Sequence, residues 1–292
     1  MNRTLNSTLS RFAVVAALAV TAQAVASAPL AAQQDLGRNG TSWRWDGPVS
    51  SGQSFRLYNV NGPVNVTASS DGSVHVRAEK RVRNGGDAST VHYAVVRSAN
   101  GVTVCALWTD GATCDENGAH GNSIQSDGDN RRQNVEVSFD VQVPNGVRSG
   151  LNSVNGNVKA VGLSGQLSAR TVNGSVDAER IGSPVSAKTV NGDITVSASG
   201  GPLDASTVNG SVHASLGEQG TSEMTFKSVN GTIDITAPSR FNADVSLSTV
   251  NGSIDSKYSL NYDRRHRHAD GVVGSGGAHV SATTVNGSIH LR

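Results

Sequence analysis

Three clusters of side chains in this 292-residue chain have the types and spacing that chemistry asks for. Cys105 and Cys114, nine positions apart, are the only cysteines. Two thiols without clustered histidines make a poor zinc site, and in an oxidising space they pair, so a Cys105–Cys114 disulfide is predicted. Asp115, Glu116, Asp127 and Asp129 crowd the segment after Cys114 with oxygen ligands of the kind calcium takes. Their spacing lacks the central glycine and distal bidentate glutamate of a calcium loop, so no metal is expected there. The run Asp263-Arg264-Arg265-His266-Arg267-His268-Ala269-Asp270 is the densest charge cluster and would suit phosphate, an acidic polysaccharide or a metal. A metal site wants three or four ligands with oriented supports, so two histidines one residue apart read as part of a solvated basic loop.

Nucleophilic and carboxylate chemistry find no framework. Gly162-Leu163-Ser164-Gly165 has neither the spacing nor the helix of a nucleophile elbow. No glycine-rich loop runs into a lysine and a helix as a phosphate cradle does. Arg170, Lys188, Asp177 and Glu179 are spread singly, as solvent-facing residues of alternating strands are. The sequence therefore predicts a protein that is not an enzyme, with no catalytic residue, cofactor or metal.

The elements that position these residues are set by a repeat. Val-Asn-Gly occurs eight times, starting at Val60, Val154, Val172, Val190, Val208, Val229, Val250 and Val285. From Val154 the starts are 18, 18, 18, 21, 21 and 35 residues apart, the signature of stacked supersecondary units with insertions confined to loops. Four residues after each Val stands Val or Ile: Val64, Val158, Val176, Ile194, Val212, Ile233, Ile254 and Ile289. Positions three and five before it are mostly apolar as well, so a period-two strand enters and another leaves each Asn-Gly.

Two architectures share this pattern. Asn-Gly between alternating segments is a strong hairpin signal, which gives an antiparallel β-meander or sandwich. The other is a β-solenoid with one coil per 18 to 21 residues. A uniformly Val row on an outer face would be odd, whereas at a solenoid corner the valines point inward. The expected fold is therefore an all-β solenoid in which Asn155, Asn173, Asn191, Asn209, Asn230, Asn251 and Asn286 stack into a hydrogen-bonded ladder.

This reading divides the chain into a signal peptide at 1–32, an N-terminal irregular β region at 41–150 and a Val-Asn-Gly repeat solenoid at 151–292. The first holds Arg3, Arg11, the apolar run Phe12 to Val20 and small residues that place cleavage between 24 and 32. That run is too short to span a bilayer, so no transmembrane segment is expected in the mature chain. The second carries a loop at 115–133 tied by the disulfide, with Trp43 and Trp45 covering an open end; the third carries a mobile insertion at 261–277. A net charge of +1 argues against a nucleic-acid partner.

The serial Thr-Val-Asn-Gly-Ser-Val/Ile pattern, with Val141-Gln142-Val143-Pro144-Asn145-Gly146-Val147 and the Phe55 to Val66 unit before it, resembles the bacterial putative adhesin family of β-strand-repeat domains. The resemblance covers roughly 52–292. It implies a repetitive β-fold on a cell-envelope or surface protein and carries over no catalytic residues. The expected role is that of an exported binding or structural scaffold, located in the periplasm, on the cell surface or outside the cell. Its partner would be a glycan, another envelope or surface protein, or a second copy of itself. A periplasmic accessory module for envelope stress is the alternative, with a polysaccharide-processing β-helix enzyme behind it.

Overall fold

The computed structural model describes residues 33–122, 134–182, 184–199, 201–217 and 222–292. The predicted signal peptide at 1–32, together with Asp127 and Asp129, lies outside them. The described chain is all-β, in one thirteen-stranded sheet, one eleven-stranded sheet and a two-stranded hairpin. A contiguous apolar core fills the space between the two large sheets.

Each repeat gives one strand to each large sheet. Leu167–Arg170, Val185–Lys188, Leu203–Ser206 and Met224–Asn230 run parallel and in register in the larger sheet. Val176–Ile181, Ile194–Ala198, Val212–Leu216 and Ile233–Thr236 do the same in the other. The period-two pattern decides what they bury: Val158, Val176, Ile194, Val212, Ile233 and Ile289 are each 0 % exposed. In-register stacking sets like on like, so the core is built from columns of one side-chain shape.

Val60 is buried as expected, at 7 % exposed, but the other seven valines of Val-Asn-Gly point the other way. Val154, Val172, Val190, Val208 and Val229 are each 39 % exposed, Val285 nearly so, and Val250 more, which corrects the inward assignment for these seven. Backbone pairing continues through the corner, Asn173 N–H donating to Val154 C=O at 2.7 Å and Gly174 N–H to Asn191 C=O at 2.9 Å. Alternation holds through the entering strand, so the inward group is the hydroxyl residue just before the valine, and it breaks at the turn, where Val and Asn both lie outside. Thr171, Thr189, Thr207, Ser228, Thr249 and Thr284 are all buried. The hydroxyls of Thr171, Thr189 and Thr207 donate to the carbonyls of Gly156, Gly174 and Gly192 at 2.8–2.9 Å, one layer away. A buried carbonyl needs a partner, and a hydroxyl supplies one where valine cannot.

The repeat asparagines do not make hairpin turns. Asn84, Arg180 and His266 are the non-glycine residues at positive φ among those described, whereas a two-residue hairpin of that type sets its Asn there. The glycine is required by close approach: a Cβ on Gly192 would strike the carbonyl of Gly174 in the next layer.

At the N-terminal end, antiparallel strands flank the parallel stack. His92–Ser98 pairs with Gly101–Leu107, and Ser42–Pro48 and Val135–Val143 pair with the two edges of Ser73–Val82. Trp45 is buried here and Trp43 stacks on Tyr93, ring centroids 4.6 Å apart.

At the other end, spatial order departs from chain order. Ala278–Asn286 lies between Met224–Asn230 and Ala243–Asn251, parallel to both. Ile289–Leu291 lies likewise between Ile233–Thr236 and Ile254–Ser256. The last repeat is thus slotted between the two before it.

The insertion at 261–277, expected to be a mobile loop, is instead built into this end. His268–Val273 pairs antiparallel with Ala243–Asn251 and with Asn261–Tyr262, and Ala269 is fully buried. The carbonyls of Arg267 and His266 accept from the N–H groups of Thr249 and Ile254, at 2.8 and 3.1 Å. Tyr258, Leu260 and Tyr262 pack against the core. An open strand edge invites pairing with another chain, and here the insertion covers it.

Candidate interaction surfaces

Each cluster that the sequence singled out has a definite local place. Cys105 and Cys114 form a disulfide, with S–S 2.07 Å and Cα atoms 6.1 Å apart. It joins Gly101–Leu107 to the hairpin of Thr113–Asp115 and Gly118–His120. The first part of the 115–133 segment is thus ordered: Tyr58 donates to Asn117 C=O at 2.7 Å, and Asn122 Nδ2 to Ala106 C=O at 2.8 Å. Asp115 meets His120 at 3.0 Å and accepts from the N–H groups of Asn117 and Gly118. Those contacts, His120 foremost, hold its carboxyl below the ordinary aspartate range. Glu116 enters this hairpin through its carbonyl, which accepts from Thr103.

His266 and His268 do not converge. The His266 ring lies 4.8 Å from that of Tyr262, and His268 Nε2 sits 3.4 Å from Asp270. Asp263 Oδ1 accepts from the N–H groups of Arg267 and His268 at 2.7 and 3.0 Å, which lowers its pKa and closes the turn on which Arg264, Arg265, His266 and Arg267 are exposed. Ser164 serves a turn as well, accepting from Gly146 N–H at 3.0 Å.

The asparagines line one corner of the stack. Asn173 Nδ2 donates to Asn155 Oδ1 at 2.7 Å, then Asn191 to Asn173, Asn209 to Asn191 and Asn230 to Asn209, each at 2.8 Å. The series passes through Asn286 at 2.7 Å before it reaches Asn251 at 2.8 Å, following spatial order. Each amide between Asn155 and Asn251 spends one donor and one acceptor on its neighbours, which locks the layers in register.

The outer face of the thirteen-stranded sheet carries a groove across its strands. One part, of about 620 Å³, is lined by Gln166, Pro184, Ser186, Pro202, Asp204, Thr225 and Lys227 among others. A second part of about 300 Å³ includes Arg56, Arg148, Gly150 and Ser168 and shares Gln166 with the first. In-register pairing sets Arg56, Gly150, Ser168, Ser186, Asp204 and Thr225 in one row, with Asn152, Arg170, Lys188, Ser206 and Lys227 in the next. The residues that looked scattered along the chain are neighbours here.

On the eleven-stranded sheet Asp177 and Glu179 point outward, and Glu179 pairs with Lys159 at 2.8 Å. A depression of about 350 Å³ at its N-terminal end is lined by Arg44, Asp46, His75, Arg77 and Asp140 among others. His75 is held between Asp46 at 2.6 Å and Asp71 at 3.1 Å. Both carboxylates favour the charged ring, Asp46 more strongly, and raise its pKa.

Lys80 escaped sequence reading. Its ammonium is buried and donates to the carbonyls of Gly37, Ala88 and Val91 at 2.7, 2.8 and 2.6 Å, so it pins two connecting segments to the N-terminal strands. The signal was its phase, since Lys80 continues the inward series Val74, Val76 and Ala78. Burial lowers its pKa to about 8, with the nearby Arg38 adding to the effect. Between about 8 and the ordinary 10.5 the unfolded chain binds more protons, so this group makes the fold more stable as pH rises through that window. Lys80→Met is expected to remove that rise. It should also lower stability at pH 7 by about 1–3 kcal/mol, because three carbonyls lose their donor. Urea melts of both proteins at pH 7 and pH 10 check it, and equal pH slopes would refute the assignment.

No protein-family model matches the chain, and no curated protein matches it. Solved structures that are similar over most of their length include the following three. A putative cell adhesion protein from Clostridium sporogenes aligns at 9 % identity and TM-score 0.36, covering 86 % of this chain and 98 % of that one. A putative adhesin from Bacteroides fragilis aligns at 13 % identity and TM-score 0.30, covering 86 % and 97 %. A putative adhesin from Parabacteroides merdae aligns at 10 % identity and TM-score 0.29, covering 87 % and 98 %.

Proposed function

We propose that this chain is an exported, non-enzymatic scaffold of the cell envelope, a β-solenoid from residue 151 onward whose long outer faces bind an envelope partner. The observation that carries the reading is the in-register parallel stacking of the repeats, which sets single polar side chains into continuous rows on an extended face. Such a surface spreads affinity over area. The Cys105–Cys114 disulfide supports an oxidising compartment outside the cytoplasm. The basic n-region and apolar run of 1–32 supply the route there.

Fractionation of cells making the full-length chain tests this. The expected product is in the periplasmic, surface or secreted fraction, lacks its first 24 to 32 residues by mass spectrometry, and shows no free thiol before reduction. A full-length cytoplasmic protein with two free thiols would overturn it.

A further inference from the structure

Four cations on the groove-bearing face have no counter-ion. Arg56, Arg148, Arg170 and Lys227 make no ion pair among the described residues, whereas Lys188 is neutralised by Asp204 at 2.7 Å. With Lys188 they occupy five of the six layers from Ser54–Tyr58 to Met224–Asn230, against the two carboxylates of Asp204 and Glu223. A chain whose net charge is only +1 therefore concentrates positive charge along one strip. Layers repeat at about 4.8 Å, so the strip is about 24 Å long.

We propose that this strip binds a linear acidic polysaccharide laid across the strands, with its carboxylates against Arg56, Arg148, Arg170 and Lys227. The proposal deepens the scaffold reading and rests on it for its biological setting.

The shape and chemistry of the groove favour this ligand over others. It is open and shallow, floored by Gly150, Ser168, Ser186 and Thr225, small groups that let a pyranose chain lie close and that offer hydroxyls to its own. Pro184 and Pro202 add a flat apolar wall suited to the C–H face of a sugar. Single-stranded nucleic acid is held by aromatic side chains that stack on bases, and none lines the groove. A peptide added as an extra strand needs a free sheet edge, whereas these strands are interior to the sheet. A neutral glycan would leave the unpaired cations without a role. One cation in nearly every layer matches a polymer that carries one carboxylate per sugar, and the surface contacts that result are weak singly and additive along the chain.

The test uses the purified full chain with polygalacturonate oligomers as probe, followed by isothermal titration at low and moderate salt. Binding should weaken with salt, since exposed charges are screened. The triple variant Arg148→Ala, Arg170→Ala, Lys227→Ala should bind about a hundredfold more weakly, at about fivefold for each exposed contact. Its melting should be unchanged, because all three side chains are exposed. Arg170→Gln alone, which keeps the side-chain bulk, should lose about fivefold. The triple variant Arg264→Ala, Arg265→Ala, Arg267→Ala at the far end should bind as the unaltered chain does. Equal affinity in the groove triple variant, or equal affinity for neutral dextran, would overturn the proposal. Single-stranded poly(dT) bound as tightly as polygalacturonate would overturn it in favour of a general polyanion surface. Failure here with export intact removes only the groove assignment, while groove binding by a chain found in the cytoplasm removes only the envelope setting.

Discussion

A chain that stops at Gly277 is expected to lose the cooperative melting of the whole repeat stack and to become sensitive to protease from about residue 238 onward. The deletion takes away Ala278, Val280, Ala282, Ile289 and Leu291, all at most 1 % exposed. At about 1.5–3 kcal/mol for each large aliphatic side chain, their burial alone contributes about 5–9 kcal/mol, a large share of what a domain has in total. The cost reaches further than the missing residues. Ala243–Asn251 and Ile254–Ser256 pair toward the body of the protein through Ala278–Asn286 and Ile289–Leu291, so both lose their inner neighbour. The Asn230–Asn286–Asn251 ladder is broken as well. Calorimetry and limited proteolysis of the truncated chain are the measurements. A single transition at the original temperature would show that the last repeat is an appendage.

The second large effect is a contrast between two positions. Ile194→Asp is expected to destabilise by more than about 4 kcal/mol, because it buries a charge without a partner. Ile194 is 0 % exposed and sits in a column between Val176 and Val212, and in-register neighbours leave no room for water beside a carboxylate. Val208→Asp is expected to stay within about 1 kcal/mol, since its site is 39 % exposed and faces solvent beside the asparagine ladder. Denaturant melts of the two variants decide the matter together. A severe loss at Val208 with little at Ile194 would reverse the assignment of inside and outside.

That contrast also marks how far the sequence could be read. Apolar residues three and five positions before each Val lie in one period-two phase, and those four and six after it lie in the opposite one on the next strand; within each strand, phase alone predicts burial. The same counting applied to the position just before the Val sends Thr171 or Thr207 inward and the Val outward. Hydrophobicity, like counting back from the strand that follows, turns the valines to the core instead. Lys80 was missed for the same reason: a charged type hid a residue in inward phase.

Other features were out of reach for a physical reason. The 35-residue gap before Val285 fixes the length of the insertion but not the layer in which the last repeat docks. Parallel pairing satisfies the same backbone groups at the end of a stack or within it. The groove is likewise invisible along the chain, where Arg56 and Arg148 are far apart; lateral register makes them adjacent.

The slotted last repeat also fixes when the molecule can be finished. Synthesis delivers the chain from its N-terminus, and the layer that Ala278–Asn286 fills stays vacant until those residues have been made. Until then Met224–Asn230 and Ala243–Asn251 have no strand between them to pair with. Strand order in space therefore sets an order of assembly: Ala243–Asn251 can take its final place in the sheet only once Ala278–Asn286 is there to pair with it.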